Sequence, residues 1–310
     1  MLLTVPGNLL LAGEYAITEE GGLGLAFAVE PRVEVLVEPA RKLGITGIMG
    51  TERVEWADDG PRAGIFQRII ECLPETDALT QRIHITIDSS RFYDATGRKR
   101  GLGSSAALVV GLVHALTDGR KRNPLDLLKT CVDTHRAIQG GRGSGYDIAA
   151  SLFGGVGLFT GGALPNWREI SLPWLTGRRI FVVAGERAVK SSPAVAAYID
   201  WKRAHQQQAA AFLLDSNAAV RALCDARDFD AARQALARAR EIGIVLGDAI
   251  GVPAAASWNA DSDWLCKASG AGNETGICIG LDSAIDPPPA ASTSAEPVFI
   301  SAPGVRVEAD

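Results

Sequence analysis

Gly101-Leu102-Gly103-Ser104-Ser105-Ala106-Ala107, followed by the apolar run Leu108–Leu116, is the stretch on which the fold turns. Two glycines two residues apart allow a tight turn and a close approach of backbone to a ligand. Ser104 is read as an N-cap. The run that follows is apolar on nearly every side, which predicts a buried helix. A glycine loop opening into such a helix presents unpaired backbone N–H groups at the positive end of a helix dipole, a site suited to phosphate.

The loop is not G-x-x-x-x-G-K-[ST], because no lysine precedes the serines. It satisfies G-x-G-x-x-A, but the dinucleotide fingerprint needs a hydrophobic strand just before it. Here the preceding residues are Asp94-Ala95-Thr96-Gly97-Arg98-Lys99-Arg100, a polar and basic loop. A glycine-containing helix cap without a ligand is the plain alternative.

A length of 310 residues suggests about two domains, and 47% hydrophobic with 22% charged residues is ordinary for a globular chain. The net charge of −5 argues against general nucleic-acid binding, which needs basic surface. The five cysteines, Cys72, Cys131, Cys224, Cys266 and Cys278, form no C-x-x-C pair and are odd in number. They suggest neither a zinc site nor a disulfide framework, and so point to a reducing cytoplasm. The N-terminus is apolar but lacks a basic leader and is broken by Pro6-Gly7-Asn8, so it reads as a strand and turn. No run reaches the ~20 apolar residues of a membrane span.

Outward from the loop, residues 2–5 and 9–12 are short apolar segments around the Pro6-Gly7-Asn8 turn. Strands are expected over Ala26–Val29, Arg32–Val37 and Arg82–Asp88, the last alternating Ile83, Ile85 and Ile87, and a helix over Ile65–Leu73. Asn123-Pro124 starts a helix running to about Gln139. Gly143-Ser144-Gly145-Tyr146-Asp147 reads as a tight turn into a helix with one carboxylate near its start, where a dipole alone would also favour an acid. His135 reads as a packed helix histidine. Pro165–Gly177 is the expected domain boundary. Ile180–Ala184 is a strand, and 193–250 is mostly helical with turns near Asp225–Asp230. A second small-residue loop follows Trp264-Leu265-Cys266-Lys267, then the strand Ile277–Leu281, a connector over Asp286–Pro297, and two segments able to close a sheet, Val298–Ser301 and Val305–Val307. The result is α+β in two domains with a glycine loop in each, and an active site is expected between them.

Three stretches together resemble the superfamily of galactokinase, homoserine kinase, mevalonate kinase and phosphomevalonate kinase, the GHMP kinases. Pro6-Gly7-Asn8-Leu9-Leu10-Leu11-Ala12-Gly13-Glu14-Tyr15-Ala16 is similar to its first motif, Gly101–Ala107 to its second and Ser269-Gly270-Ala271-Gly272 to the start of its third. Gly143–Ala150, Gly13–Ala16 and Lys267 placed before the third motif look most like phosphomevalonate kinases. The resemblance implies a ribosomal-protein-like α+β domain over 1–165 and a ferredoxin-like α/β sandwich over 166–310. It also implies ATP, magnesium and a small anionic acceptor, most specifically 5-phosphomevalonate going to 5-diphosphomevalonate. The oligomeric state is left open.

On that resemblance Gly101, Leu102, Gly103, Ser104, Ser105 and Ala106 would hold the ATP phosphates, with the Ser105 hydroxyl reaching magnesium. Asp147 and Lys267 would be catalytic. Asn8, Glu14, Tyr15, Ser144, Gly145, Lys190, Ser191, Ser192, Gly270, Ala271 and Gly272 would meet the acceptor, with Arg142, Lys99 and Arg100 as further candidate cations. Two departures stand out. Asn8 replaces a lysine that commonly neutralises the transferring phosphoryl group, and the third motif continues Asn273-Glu274-Thr275 instead of with further glycines. His135 stands near where mevalonate kinases tend to place a magnesium-binding glutamate. The competing functions are a sister kinase acting on mevalonate or another small alcohol, and a non-catalytic nucleotide-binding relative.

Overall fold

The computed structural model describes residues 1–57, 64–73, 82–184, 191–254, 264–270, 275–280 and 295–308. Contacts group the chain into two compact units, neither continuous in sequence: Met1–Asn8 with Ala28–Gly155 and Ser301–Asp310, and Leu9–Phe27 with Val156–Ile300.

The first unit is built on strands in the order β12-β1-β2-β5-β3-β4. These are β1 (Leu2–Ala12), β2 (Leu23–Pro39), β3 (Gly44–Met49), β4 (Glu52–Ala57), β5 (Ile83–Asp88) and β12 (Arg306–Glu308), with β1 and β2 each giving one end to this unit. β5 runs antiparallel to β2 and parallel to β3. Its helices are α1 (Gly64–Glu71), α2 (Ser104–Leu116), α3 (Pro124–Ile138) and α4 (Tyr146–Phe153). Every residue of α2 from Ala106 to Leu116 is buried, as its unbroken apolar run predicts, and α2 packs on both α3 and α4. The Asn123 side chain accepts from the Leu125 N–H at 2.9 Å and so caps α3 as expected. Arg32, nearly buried, ties the C-terminal segment down. It donates to the Ser301 hydroxyl at 2.6 Å and to the carbonyls of Thr4 and Gly304.

Three sequence expectations change here. Pro6-Gly7-Asn8 is not a turn: β1 runs unbroken through it, and β2 likewise joins the two strands expected over 26–37. Gly7 lets the glycine loop lie against this strand, because a Cβ there would fall 2.3 Å from the Leu102 carbonyl oxygen. Nor is Ser104 the cap of α2. Gly103, in the left-handed region at φ 76°, takes that place, and no side chain caps the helix.

In the second unit the start of β2, Leu23–Phe27, pairs with β6 (Val156–Thr160), which pairs with β7 (Asn166–Glu169). A separate antiparallel sheet runs β11-β8-β10-β9: β8 (Ile180–Ala184), β9 (Trp264–Ser269), β10 (Thr275–Gly280) and β11 (Ala295–Val298). Its core is Phe181, Val183, Trp264, Cys266, Ala268 and Cys278. Three helices follow β8, namely α5 (Ser191–Ala204), α6 (Gln206–Asp225) and α7 (Phe229–Ile250), and α7 packs on β9. Residues 165–177 contribute β7 and a 3-10 turn at Pro173–Leu175 to this unit.

The expectation of no disulfide is corrected. Cys266 and Cys278 are bonded to one another, because the β9–β10 register sets them directly opposite across the ladder. Twelve residues of separation gave no pairing signal in the sequence. Among the described residues no helix is long and apolar enough to cross a membrane.

Candidate active site

In the first unit the site starts from β1. The Asn8 N–H donates to the Leu102 carbonyl at 2.9 Å, which fastens the glycine loop to the strand. The Asn8 side chain is 3% exposed and its amide donates to the Ser151 hydroxyl at 3.0 Å and to the Gly103 carbonyl at 3.4 Å. It lies against Gly103 so closely that a Cβ on that glycine would fall 2.2 Å from the amide nitrogen. Asn8 is thus a neutral amide that holds the loop. Leu102 and Ala106 are buried, so only their backbone is available to a ligand, while Ser104 is half-buried and Ser105 exposed. With no side chain capping α2, its first-turn N–H groups have no acceptor within the helix. The uncapped start of α2 lies where the sequence places its candidate anion site.

α4 brings the carboxylate. Gly145 is its N-cap residue, and Asp147 sits in its first turn, with Oδ1 accepting from the Ile148 N–H at 2.9 Å. Arg136 on α3 shapes the approach: its Nε donates to the Gly143 carbonyl at 2.9 Å and its Nη2 to the Ser144 carbonyl at 3.1 Å. The Ser144 hydroxyl accepts from the Tyr146 N–H at 3.4 Å. Between loop and carboxylate stands His135, whose Nδ1 is 3.5 Å from Asp147 Oδ2 and whose Nε2 is 3.4 Å from Ser105 Oγ. The Gln139 side-chain amide reaches that Nε2 at 3.0 Å. The histidine is buried, as a packed histidine should be, but it also bridges two predicted site residues. Sequence reading missed Arg136, Gln139 and Ser151. The one available signal was that His135 and Gln139, four apart on a helix, share a face.

The second unit gathers Glu14, Tyr15, Lys267 and Gly270 around one small hollow of about 20 Å³. Lys267, 3% exposed, gives its ammonium to the Glu14 carboxylate and to the Ala268 carbonyl at 2.7 Å. Burial pushes the Glu14 carboxyl above its ordinary range, with Lys267 pulling the other way. The Tyr15 ring packs on Tyr198 with centroids 5.4 Å apart. The Ser269 hydroxyl donates to the Leu10 carbonyl at 2.8 Å. Ser191 and Ser192 begin α5, whereas Lys190, Ala271, Gly272, Asn273 and Glu274 lie outside the described residues.

The glycine loop thus stands at the mouth of a buried helix, and the Asp147 carboxylate shares His135 with Ser105 of that loop. Residues 64–155, which carry that loop and Asp147, match the family described as GHMP kinases N terminal domain. Among curated proteins the chain is similar to the phosphomevalonate kinase of Streptomyces sp. (strain CL190), at 30% identity over 48% of this chain and 46% of that one. It is also similar to the phosphomevalonate kinase of Saccharolobus solfataricus, at 26% over 50% and 47%. The matches thus span about half the length of these relatives. Among solved structures it shares its fold with the Lin0012 protein from Listeria innocua, with a TM-score of 0.77, 21% identity, and 90% of this chain and 91% of that one covered. Streptococcus pneumoniae phosphomevalonate kinase in complex with phosphomevalonate and AMPPNP gives 0.69, 19%, 91% and 92%. These likenesses show a shared two-domain α+β fold.

Proposed function

We propose that the chain is an ATP-dependent kinase that phosphorylates 5-phosphomevalonate to 5-diphosphomevalonate, with 1–165 and 166–310 as its two family domains. The observation that carries this is the uncapped start of α2 behind the Gly101–Ser105 loop, with Asp147 placed within reach of the same histidine as Ser105. The backbone of Gly101–Ala106 would receive the nucleotide phosphates. Ser105 and Asp147 supply one hydroxyl and one carboxylate, which fits magnesium, an ion usually held by one or two carboxylates together with substrate phosphates. Bound there, it would neutralise charge on the transferring group. Asp147 would orient an acceptor that is already ionised and needs little base. Lys267 would be catalytic beside Asp147, and Glu14, Tyr15 and Gly270, with Asn8, Ser144, Gly145 and the segments 190–192 and 271–272, would meet the acceptor. The reading includes a cytoplasmic location.

A second reading is favoured by Asn8. A neutral amide engaged with Ser151 and Gly103 supplies no charge to a transferring phosphoryl group, as expected for a relative that acts on another acceptor or only binds nucleotide. ADP release with ATP and magnesium, compared among phosphomevalonate, mevalonate and no acceptor, separates the readings. Release with phosphomevalonate alone, falling by about 100-fold or more in Asp147→Asn, is the expected result. Release with mevalonate alone replaces the acceptor, and nucleotide binding without acceptor-dependent release supports the non-catalytic reading.

A further inference from the structure

Three side chains, from α2, α4 and the residue that ends α3, converge on one buried ring. His135, 4% exposed, faces Asp147 through Nδ1 and faces both Ser105 and Gln139 through Nε2. The amide nitrogen of Gln139 can only donate, so Nε2 accepts and the ring proton of the neutral imidazole lies on Nδ1, towards the carboxylate. We propose that His135 is a positioning residue, which in its Nδ1–H form sets the Asp147 carboxylate against the phosphate loop and draws the Ser105 hydroxyl proton inward. This deepens the kinase reading and rests on it for its catalytic consequence.

The geometry has two effects. Asp147 has a neighbour at each oxygen, Oδ1 accepting from the Ile148 N–H and Oδ2 lying 3.5 Å from the imidazole Nδ1, which narrows its rotamers before any ligand arrives. Ser105, with its proton directed at Nε2, leaves its lone pairs for a cation. The sequence neighbours support the same arrangement. Arg136, next to His135 on α3, holds the Gly143 and Ser144 carbonyls just before Asp147, so one turn of α3 aligns both the start of α4 and its carboxylate.

The test reads the ring directly and then the kinetics. Long-range ¹H–¹⁵N correlation spectra of the full chain, at a pH well above the ordinary histidine range of about 6.5, report the tautomer of each of the four histidines. The expected result is an Nδ1–H ring for His135 that shifts in Asp147→Asn while His84 and His205 do not. Gln139→Leu should move proton population to Nε2 without touching Asp147. An Nε2–H ring, or one indifferent to Asp147→Asn, overturns the proposal. In the acceptor-dependent assay, His135→Phe should lower kcat by about 100-fold with the nucleotide KM within about twofold. His135→Asn, which restores a donor towards Asp147, should recover about tenfold of that loss. Equal activities in the Phe and Asn variants, both folded by thermal melt, reduce His135 to packing. If the unaltered chain releases no ADP with any acceptor, the kinase reading fails, while the spectra still decide the positioning of Asp147.

Discussion

Asn8 and His114 show how much a single polar side chain carries in the first unit. Asn8→Ala removes the hydrogen bonds to Ser151 and Gly103 and leaves the Ser151 hydroxyl buried. Urea unfolding should show a loss of about 1–3 kcal/mol. A loss below that range would mean the amide does not hold the loop. His114 lies in the last turn of α2 with Nδ1 lacking a partner among the described residues. Burial, followed by the Arg120 charge, depresses its pKa. A histidine depressed on folding contributes stability that is present above its unfolded value, near 6.5, and lost as pH falls through the folded value. The midpoint of thermal unfolding should therefore drop between about pH 7 and about pH 5. His114→Phe should flatten that drop, and an unchanged profile would rule the histidine out as its source.

At the scale of the element, β1 matters more than its sequence suggests. It runs straight through Pro6-Gly7, and its Gly7–Asn8 segment supports the loop that opens α2. Gly7→Ala would press a methyl into the Leu102 carbonyl at 2.3 Å and the Phe92 ring at 2.8 Å. Backbone cannot yield as a flexible side chain does, so the cost should exceed the about 1–3 kcal/mol of ordinary overpacking. Nucleotide affinity should fall with it, because Leu102 belongs to the loop. Calorimetric titration with ATP and magnesium checks this, and an Ala variant of normal stability and affinity would show that the strand and loop are not so coupled. Other elements were plain in sequence: α2 from its unbroken apolar run, β5 from alternation, and α3 from Asn123 and Pro124. β1 was misread because proline and glycine signal a turn wherever no tertiary partner overrides them.

At the scale of the whole molecule, long-range register decides features that no local pattern carries. The Cys266–Cys278 bond predicts a thiol count: after denaturation without reductant, alkylation followed by mass measurement should label Cys72, Cys131 and Cys224 alone. All five cysteines should react once reductant is added. Five labels without reductant would remove the disulfide. In the native chain, exposed Cys72 should react before Cys131, which is buried with its thiol pushed up by desolvation.

The candidate site divides in the same way. The glycine loop and Asp147 were legible because their chemistry is local: a turn, a helix start, a carboxylate in the first turn. The sequence by itself determined the α+β class, the buried helix and the glycine turn at its mouth, since apolar pattern and glycine spacing act within a few residues. Only the tertiary structure decided that Asn8 braces the loop, that Lys267 is engaged by Glu14, and that His135 stands between Ser105 and Asp147. Those pairings join residues from 12 to 253 positions apart, and which polar groups meet at such distances is set by packing and strand register.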